Sequence, residues 1–428
     1  MKVRVGVFPC GSENAIEIHD ALSCVVDIEV FGLSSIDDHG RYVFRNYIGN
    51  IPYISHPIFI DFINDIIKLY SIDLLFPTHD SVAQVLAERR AELACKLVVS
   101  DYETACICRE KKRIYTTFKD CKFTPAVYDN NNDDILFPVF VKANKGEGGK
   151  HTKIVRDRND LVQTLGSIPD PLVVEYLPGE ELTVDCFTDR HGTLRFIGPR
   201  SRSRVRFGIS VNSRNIPVTP EIESIAAEMN RRLRFRGLWF FQIKKDESGR
   251  FKILEISTRT AGTMCLYRHQ GLNFPLLSVY DALDRDVDIL QNPFNIEVDR
   301  ALINRFSIDY EYDTIYLDYD DTLVCNGEVN TYVLMLLYQW ARQNKEVILL
   351  TRHDGCLKES FEKLHIHEGL FTKICHFDWN QEKAELIEKD KAAIFIDNAF
   401  SERKKVFELK GIPVFDVNAV NCLLDWRQ

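Results

Sequence analysis

The two ends of the chain carry the same alternation, short apolar strands separated by helix-like segments, and a strand-rich block lies between them. From Lys2 to about Leu97 the strands read VRVGVF, VVDIEVFGL and IDLLFP, and the last helix-like segment is SVAQVLAERRAELACK. That alternation predicts a parallel α/β unit. Tyr102 to Lys119 reads as helical, and the polar run DNNNDD that follows marks a subdomain boundary. From Phe137 to about Asp286, VFVKA, LVVEYL, LTVDCFTD, TLRFIGPR, LWFFQIKKD and FKILEIS are separated by turn residues. They predict an antiparallel sheet with helices on one side, an α+β arrangement. Composition shifts at NPFNIEV, and beyond Tyr310 strand and helix alternate again through IYLDYD, VLMLLYQWARQ, VILLTR, AAIFIDN and VFDV. This predicts a small three-layer, doubly wound α/β fold. The expected divisions are 1–100, 101–290, a linker at 291–312, and 313–428. No internal repeat relates the two α/β ends.

At 428 residues the chain is long enough for two to four domains of roughly 100–200 residues. Its 45% apolar and 27% charged residues are ordinary globular values, which exclude a disordered or collagenous chain. The net charge of -9 argues against broad attraction to nucleic acid or an anionic membrane, leaving only a local basic groove open. No apolar run approaches the roughly 18 residues of a membrane helix, and MKVRVGVFPCGSEN lacks the apolar segment and cleavage site of a signal peptide. The 12 cysteines form no CxxC pair, Cys106 and Cys108 being closest, and Cys186 and Cys265 lie in apolar surroundings. Reduced core thiols in a cytoplasm are expected, with zinc the minor alternative.

In the last quarter, Asp318-Tyr319-Asp320-Asp321-Thr322 follows an apolar strand, so Asp318 and Asp320 arrive together at its carboxyl end, where open α/β sheets bind ligands. Two carboxylates there suit a divalent metal and phosphate chemistry. One serves as nucleophile; the second protonates the leaving oxygen and then activates water. VILLTR ends in Thr351, a hydroxyl for the phosphoryl group, Lys383 supplies neutralising charge, and AAIFIDN ends in Asp397, a further oxygen ligand for metal. The plain alternative is a set of polar strand ends and turn acids.

This ordered set resembles the haloacid dehalogenase (HAD) superfamily of phosphotransferases. The resemblance implies Asp318 as nucleophile, Asp320 as general acid/base, Thr351 as phosphate hydroxyl and Lys383 as charge clamp. Metal ligation falls to Asp318, Asp320 and Asp397. Asn398 stands where relatives commonly carry a second acid, and Glu402 follows a little later. The short spacing from Asp320 to Thr351 and on to Lys383 leaves no room for a cap domain.

In the central block FVKANKGEGGKHTKIV places Lys142 on a strand and Gly146, Gly148 and Gly149 in the loop after it. Glycines let backbone amides approach phosphate closely, although a plain glycine hairpin is the alternative. It is neither a P-loop nor a dinucleotide fingerprint. Further on, Gln242 and Glu255 stand on two successive strands, where their oxygens can bracket one or two Mg²⁺ ions. Taken together, these elements resemble the ATP-grasp superfamily, including its carbamoyl-phosphate synthetase and peptide-like ligase branches, over roughly the first 290 residues. The resemblance implies that Lys111 and Lys142 contact ATP phosphates beneath the glycine loop, Glu175, Tyr176 and Leu177 form the adenine hinge, and Glu181 takes the ribose. Gln242 and Glu255 would hold Mg²⁺, and Arg259 would neutralise a developing acyl phosphate. Ser257 occupies the second-metal position where an amide ligand is common.

Arg200, Arg202, Arg204 and Arg206 alternate and would share one strand face. That face is either solvated or an anion site for γ-phosphate or an acidic substrate, with Arg202 and Arg206 the candidates. Nucleic acid is disfavoured, because no aromatic residues interleave with the arginines. Ser12, His79 and Asp80 follow strands and are substrate-contact candidates, loop capping being the alternative. The leading expectation is a bifunctional enzyme: a carboxylate–amine or carboxylate–thiol ligase releasing ADP and phosphate, joined to a Mg²⁺-dependent phosphatase acting on a phosphorylated metabolite. An ATP-grasp kinase, and an ATP-binding regulatory module attached to a phosphatase, are the alternatives.

Overall fold

The computed structural model describes residues 2–129, 135–146, 149–206, 208–388 and 391–427. The chain forms two compact units, residues 1–302 and 303–427.

The first unit opens with a five-stranded parallel sheet made from β1 (Val3–Phe8), α1 (Glu13–Leu22), β2 (Ile28–Leu33), β3 (Asn46–Ile48), α2 (Phe59–Tyr70), β4 (Leu74–Pro77), α3 (Asp80–Glu88) and β5 (Lys96–Leu97). The strand order is β3-β2-β1-β4-β5, so the winding reverses between β1 and β4 and their carboxyl ends flank the crevice such a reversal creates. The continuous apolar runs in these strands are explained by burial on both faces. Val5, Val7, Val30, Leu74 and Phe76 enter one core cluster, while Phe31, Leu33 and Leu75 enter another. The helix expected to run on through SVAQVLAERRAELACK ends at Glu88. Lys96 and Leu97 instead pair with β4, and the Arg90 guanidinium donates to the carbonyls of Val99 and Ser100 at 2.6 and 2.8 Å.

Tyr102 to Lys119 is two helices, α4 (Tyr102–Arg109) and α5 (Lys111–Thr117), divided at Glu110, whose backbone is extended. The strand-rich block then makes three sheets rather than one. β6 (Val127–Tyr128), β7 (Val139–Ala143), β8 (Thr152–Val155) and, after α6 (Arg158–Ser167), β9 (Pro171–Glu175) form an antiparallel sheet in the order β6-β9-β7-β8. β10 (Glu181–Thr188) and β11 (Leu194–Ser201) belong to a second sheet, while β12 (Arg204–Arg206) and β13 (Ile209–Arg214) start a third. After α7 (Pro220–Arg232), β14 (Gly237–Lys245) and β15 (Phe251–Ser257) complete the second sheet as β11-β10-β14-β15. α8 (Cys265–His269) and α9 (Phe274–Ala282) follow, and β16 (Glu297–Asp299), in what was expected to be linker, pairs with β13. Along β14 the pleat divides the core: Leu238 and Phe240 join the cluster of β1 and β4, and Trp239, Phe241 and Ile243 join the cluster beneath α5 and α7.

In the second unit β17 (Thr314–Leu317) leads through a short hairpin to α10 (Thr331–Arg342). There follow β18 (Glu346–Thr351), α11 (Leu357–Leu364), β19 (Lys373–His376), α12 (Lys383–Leu386), β20 (Ala393–Ile396), α13 (Phe400–Lys410) and β21 (Val414–Phe415). The strands form one parallel sheet, β19-β18-β17-β20-β21, doubly wound about β17. Ile315 and Leu317 face one core and Tyr316 the other, as two covered faces require. Among the described residues, no helix is long and apolar enough to cross a membrane. All 12 cysteines are free; Cys106, Cys108 and Cys186 are buried and Cys265 is partly so.

The four alternating arginines do not share a strand face. Arg200, next to last in β11, is buried, its Nε 2.6 Å from Asp185 on β10, with a further bond to Thr263. Arg204 and Arg206 belong to β12, in a different sheet, and are exposed. Because the Arg200–Asp185 pair is fully enclosed, Asp185→Ala leaves an uncompensated guanidinium in the core. We expect the first unit to lose about 3–5 kcal/mol in urea unfolding. An unchanged midpoint would show that the pair is not structural.

Candidate active sites

The crevice between β1 and β4 opens into a cavity of about 500 Å³ in the first unit. Ser12 and His79 reach its wall from the parallel sheet, while Gln242, Glu255 and Arg259 reach it from the antiparallel one. Gln242 and Glu255 are direct register partners on β14 and β15, so their side chains leave the same face side by side. Ser12 also caps α1, accepting from the Ala15 amide at 3.2 Å. Asp80, at the start of α3, does not serve as a free substrate contact. Its carboxylate accepts from Ser257 Oγ and from Arg259 Nε, the latter at 3.0 Å. Burial pushes the Asp80 carboxyl up, but Arg259, Ser257 and Arg109 outweigh it and hold the group below its usual value. The expected metal-binding hydroxyl of Ser257 is therefore engaged with Asp80, and Arg259 is fixed at the cavity edge by the same group.

Lys142, on β7, is buried, with Nζ 2.6 Å from Tyr115 Oη and lying over the Tyr115 ring. Burial, aided by Lys111, lowers its ammonium to about 7, against the opposing pull of Glu255 and Glu181. Lys111 opens α5 and reaches the Gly146 carbonyl at 3.5 Å. Gly149 has φ +67, and an added Cβ would lie 3.4 Å from Gly208 Cα, so this loop comes close to the turn before β13. Gly148 lies outside the described residues. Glu175, Tyr176 and Leu177 join β9 of one sheet to β10 of the next, where a hinge is expected, but the Glu175 carboxylate accepts from the Ala126 amide at 3.1 Å. Glu181, expected as a ribose acceptor, is paired with Arg202 at 2.6 Å and Lys244 at 3.7 Å. Arg202 lines the cavity, and burial lowers its guanidinium despite Glu181. Arg206 does not line the cavity.

Arg200, Thr183, Lys150 and Arg300 also line this cavity. Arg300 follows β16 and pairs with Glu13 at 2.9 Å. A Cβ at residue 262 would lie 2.9 Å from its guanidinium, so Gly262 leaves the space it occupies. The signal for Arg300 was hidden because its segment read as linker.

In the second unit the expected residues meet at the carboxyl edge of the sheet. Lys383 Nζ bridges Asp318 and Asp397 at 2.6 Å each. Thr322, whose hydroxyl carries no signal in the sequence, donates to Asp318 at 2.9 Å and accepts from the Asn398 amide at 3.1 Å. Thr351 is fully buried at the end of β18 and accepts from the His353 amide. Asp320 is half-exposed and 2.8 Å from His353 Nδ1, a neighbour hidden in the loop after VILLTR. Asn398 contributes its backbone amide here, while Glu402 is drawn away to Arg352 at 2.8 Å. Burial, reinforced by Asp397, raises Asp318 to about 6 against the pull of Lys383. Burial also raises Asp397, and burial alone would lower Lys383, but the two carboxylates raise it. Among the described residues, no group of three or more His, Cys, Asp or Glu side chains forms a metal cage.

Residues 167–302 match the family model described as ATP-grasp in the biosynthetic pathway with Ter operon. No curated protein matches the chain. Among solved structures, the biotin carboxylase domain of Hydrogenobacter thermophilus 2-oxoglutarate carboxylase, in complex with MgADP, ADP and bicarbonate, aligns with TM-score 0.57 and 16% identity. The alignment covers 68% of this chain and 72% of that one. N5-carboxyaminoimidazole synthetase from Staphylococcus aureus, complexed with ADP, aligns at 0.55 and 14%, covering 67% and 79%. An L-amino acid ligase from Bacillus licheniformis aligns at 0.53 and 16%, covering 66% and 74%. The antiparallel sheets and the family match agree on an ATP-grasp fold.

The raised Asp318 carboxyl makes stability depend on pH. The folded state takes up its proton more readily than the unfolded state, so this group's contribution falls as pH rises from about 4 to about 6. The stability of wild type minus that of Asp318→Asn should therefore fall by up to about 3 kcal/mol over that window in denaturant titrations. A flat difference would contradict the burial of an ionisable Asp318.

Proposed function

We propose that the first unit uses ATP with Mg²⁺ to join a small-molecule carboxylate to an amine or thiol, and that the second unit is a HAD-type phosphatase. The observation that carries the first part is the convergence of Gln242, Glu255 and Arg259 with Ser12 and His79 on one cavity. The match to the ATP-grasp model and the ADP-bound neighbours support ATP as the nucleotide. Gln242 and Glu255 offer two side-by-side oxygen donors, which suits Mg²⁺ because that ion keeps waters and substrate phosphates in its shell. Mg²⁺ would supply charge neutralisation at the phosphates. Lys142 and Lys111 hold the phosphate chain beneath the loop of Gly146 and Gly149, and Glu175 to Leu177 border the adenine.

In this reading a carboxylate oxygen attacks the γ-phosphorus and ADP leaves. The amine nitrogen or thiol sulfur then attacks the acyl carbon and expels phosphate. Arg259, oriented by Asp80, and Arg202 stabilise the charge that develops on the acyl phosphate oxygens. Ser257 acts by positioning Asp80.

In the second unit Asp318 attacks phosphorus and forms an aspartyl phosphate, Asp320 protonates the leaving oxygen, and Asp320 then takes a proton from the water that releases phosphate. Thr351 and Lys383 receive the phosphoryl oxygens. Two buried carboxylates share a single buried ammonium, an excess of negative charge that fits Mg²⁺ held by Asp318 and Asp397, with Asp320 beside them. The substrates are small molecules, and the free thiols suit a reducing cytoplasm.

The test is mass spectrometry of the Asp318→Asn protein given ATP, Mg²⁺ and a metabolite extract, with Glu255→Gln added as control. We expect a condensed adduct, ADP and phosphate, reduced at least about 100-fold by Glu255→Gln, since even outer-shell metal partners are worth about 10–100-fold. A stable phosphorylated acceptor without condensation would replace the ligase by a kinase, and no Glu255-dependent change would remove the catalytic reading.

Lys142 allows a second check. With its free ammonium near 7, the group is mostly neutral at pH 8, and bound phosphate would recharge it. ATP binding at pH 8 should take up close to one proton, measured by calorimetry in buffers of different ionisation enthalpy. The uptake should disappear in Lys142→Met, and uptake that persists there would dissociate Lys142 from the phosphates.

A further inference from the structure

Among the described residues of the second unit, nothing forms a cap over the carboxyl edge of the sheet. Between Asp320 and β18 the described chain makes a short hairpin and α10, and between Thr351 and Asp397 it makes α11, a single helical turn at Glu368–Leu370, β19, α12 and β20. Whatever distinguishes one phosphate monoester from another must therefore stand on the rim of the sheet's carboxyl edge. On that rim are two large aromatic side chains open to solvent, Trp379 at 73% and Phe400 at 71% exposure. Isolated exposed apolar residues are ordinary. These two are built into the site.

Trp379 lies over the guanidinium of Arg352, 5.5 Å from the ring centre, and Phe377 lies 5.3 Å from the same group. Arg352 immediately follows Thr351 and is itself largely buried. Its Nη2 donates to the Gln381 carbonyl at 2.9 Å and its Nη1 to Glu402 at 2.8 Å. One arginine thus ties the Trp379 loop to the first turn of α13, which Phe400 begins. Phe400 in turn lies 5.9 Å from the guanidinium of Arg403, whose Nη1 donates to the carbonyls of Asp397 and Asn398 at 2.6 and 2.7 Å. Arg403 is thus bonded to the backbone beside the Asp318–Lys383–Asp397 cluster, Arg352 directly follows Thr351, and the Arg352–Glu402 pair holds the two ring-bearing segments together. The outer face of each ring is left to solvent.

Resting on the phosphatase reading, we propose that Trp379 and Phe400 recognise a flat, π-faced ring on the leaving alcohol, so that the substrate is a phosphate monoester of a nucleoside-like molecule. Stacking on exposed aromatic rings tolerates differences among flat heterocycles, because each has a π-face, and the arginine beneath a ring limits its motion. The phosphate enters between Asp318, Thr351 and Lys383, the leaving oxygen faces Asp320, and the ring of the alcohol extends outward to the rim.

The test compares phosphate release from uridine 5′-monophosphate and glycerol 2-phosphate by the full chain with Mg²⁺. We expect a higher kcat/KM for the nucleotide, and a fall in the ratio of the two values of roughly five- to a hundred-fold in Trp379→Ala, carried by KM. Trp379→Phe should restore most of the ratio, and Phe400→Ala should lower it. Equal kcat/KM values in the wild type, or a ratio unmoved by Trp379→Ala, would overturn the inference and leave the phosphatase intact. Absence of Asp318-dependent release from both compounds would overturn the phosphatase reading itself. In that event, binding of the nucleotide to Asp318→Asn decides the rim: tryptophan quenching that is lost in Trp379→Phe supports it, and quenching equal in both proteins overturns it.

Discussion

The first unit's cavity depends on Asp80. This carboxylate stands at the switch point of the parallel sheet, yet its partners, Ser257 and Arg259, come from the end of β15 in the antiparallel sheet. Sequence separation of 177 and 179 residues is closed by one side chain. A buried carboxylate with no cation would be forced towards its neutral form; here Arg259 keeps it charged. The same pairing fixes the direction of Arg259 and thereby the wall opposite Ser12 and His79. Hydrophobic continuity supports the join, since Val5, Val7, Leu74 and Phe76 share a core cluster with Leu238 and Phe240. The two sheets are thus held in register by packing behind the cavity and by one charge pair at its edge.

Strand existence was legible from composition because strands buried on both faces are long apolar runs. VRVGVF, IDLLFP, LWFFQIKKD, FKILEIS, VILLTR and AAIFIDN all fall on strands. The weaker strands were hidden for physical reasons. Lys373–His376, KICH, lies at the edge of its sheet with polar ends, and Glu297–Asp299, EVD, is three residues long and mostly exposed. Helix extent misled where tertiary contacts overrode periodicity, as at Arg90, whose guanidinium is drawn to the carbonyls of residues 99 and 100. The alternating arginines show the limit of reading a pleat from spacing: the strand ends at Ser201, and the chain enters another sheet at Arg204.

The site residues were legible where the donor sits at a strand end and chemistry demands its type. Asp318, Thr351 and Asp397 are of this kind, and Lys383, at the start of α12, is brought to Asp318 and Asp397. Residues that act by supporting another residue leave no comparable mark. Thr322 is buried between Asp318 and the Asn398 amide, and nothing in DYDDT distinguishes its hydroxyl from that of a turn residue. His353 reaches Asp320 across 33 residues, and Glu402 is claimed by Arg352 rather than by the Asp318–Lys383–Asp397 cluster.

Lys142 and Lys383 show how local charge, not burial alone, decides what each site is prepared to receive. Both are 5% exposed, and burial by itself disfavours the ammonium at each. Lys142 moves down because burial, with Lys111 nearby, outweighs the pull of Glu255 and Glu181, and its immediate partner is a neutral tyrosine hydroxyl. Lys383 moves up because two carboxylates lie within 2.6 Å. The first lysine has a deficit of negative charge that a polyanion would fill. The second belongs to a cluster with a surplus, which a phosphoryl group can enter only when further positive charge enters with it. A polyanion therefore suits the first environment as it stands, whereas an anion could enter the second only with a cation beside it.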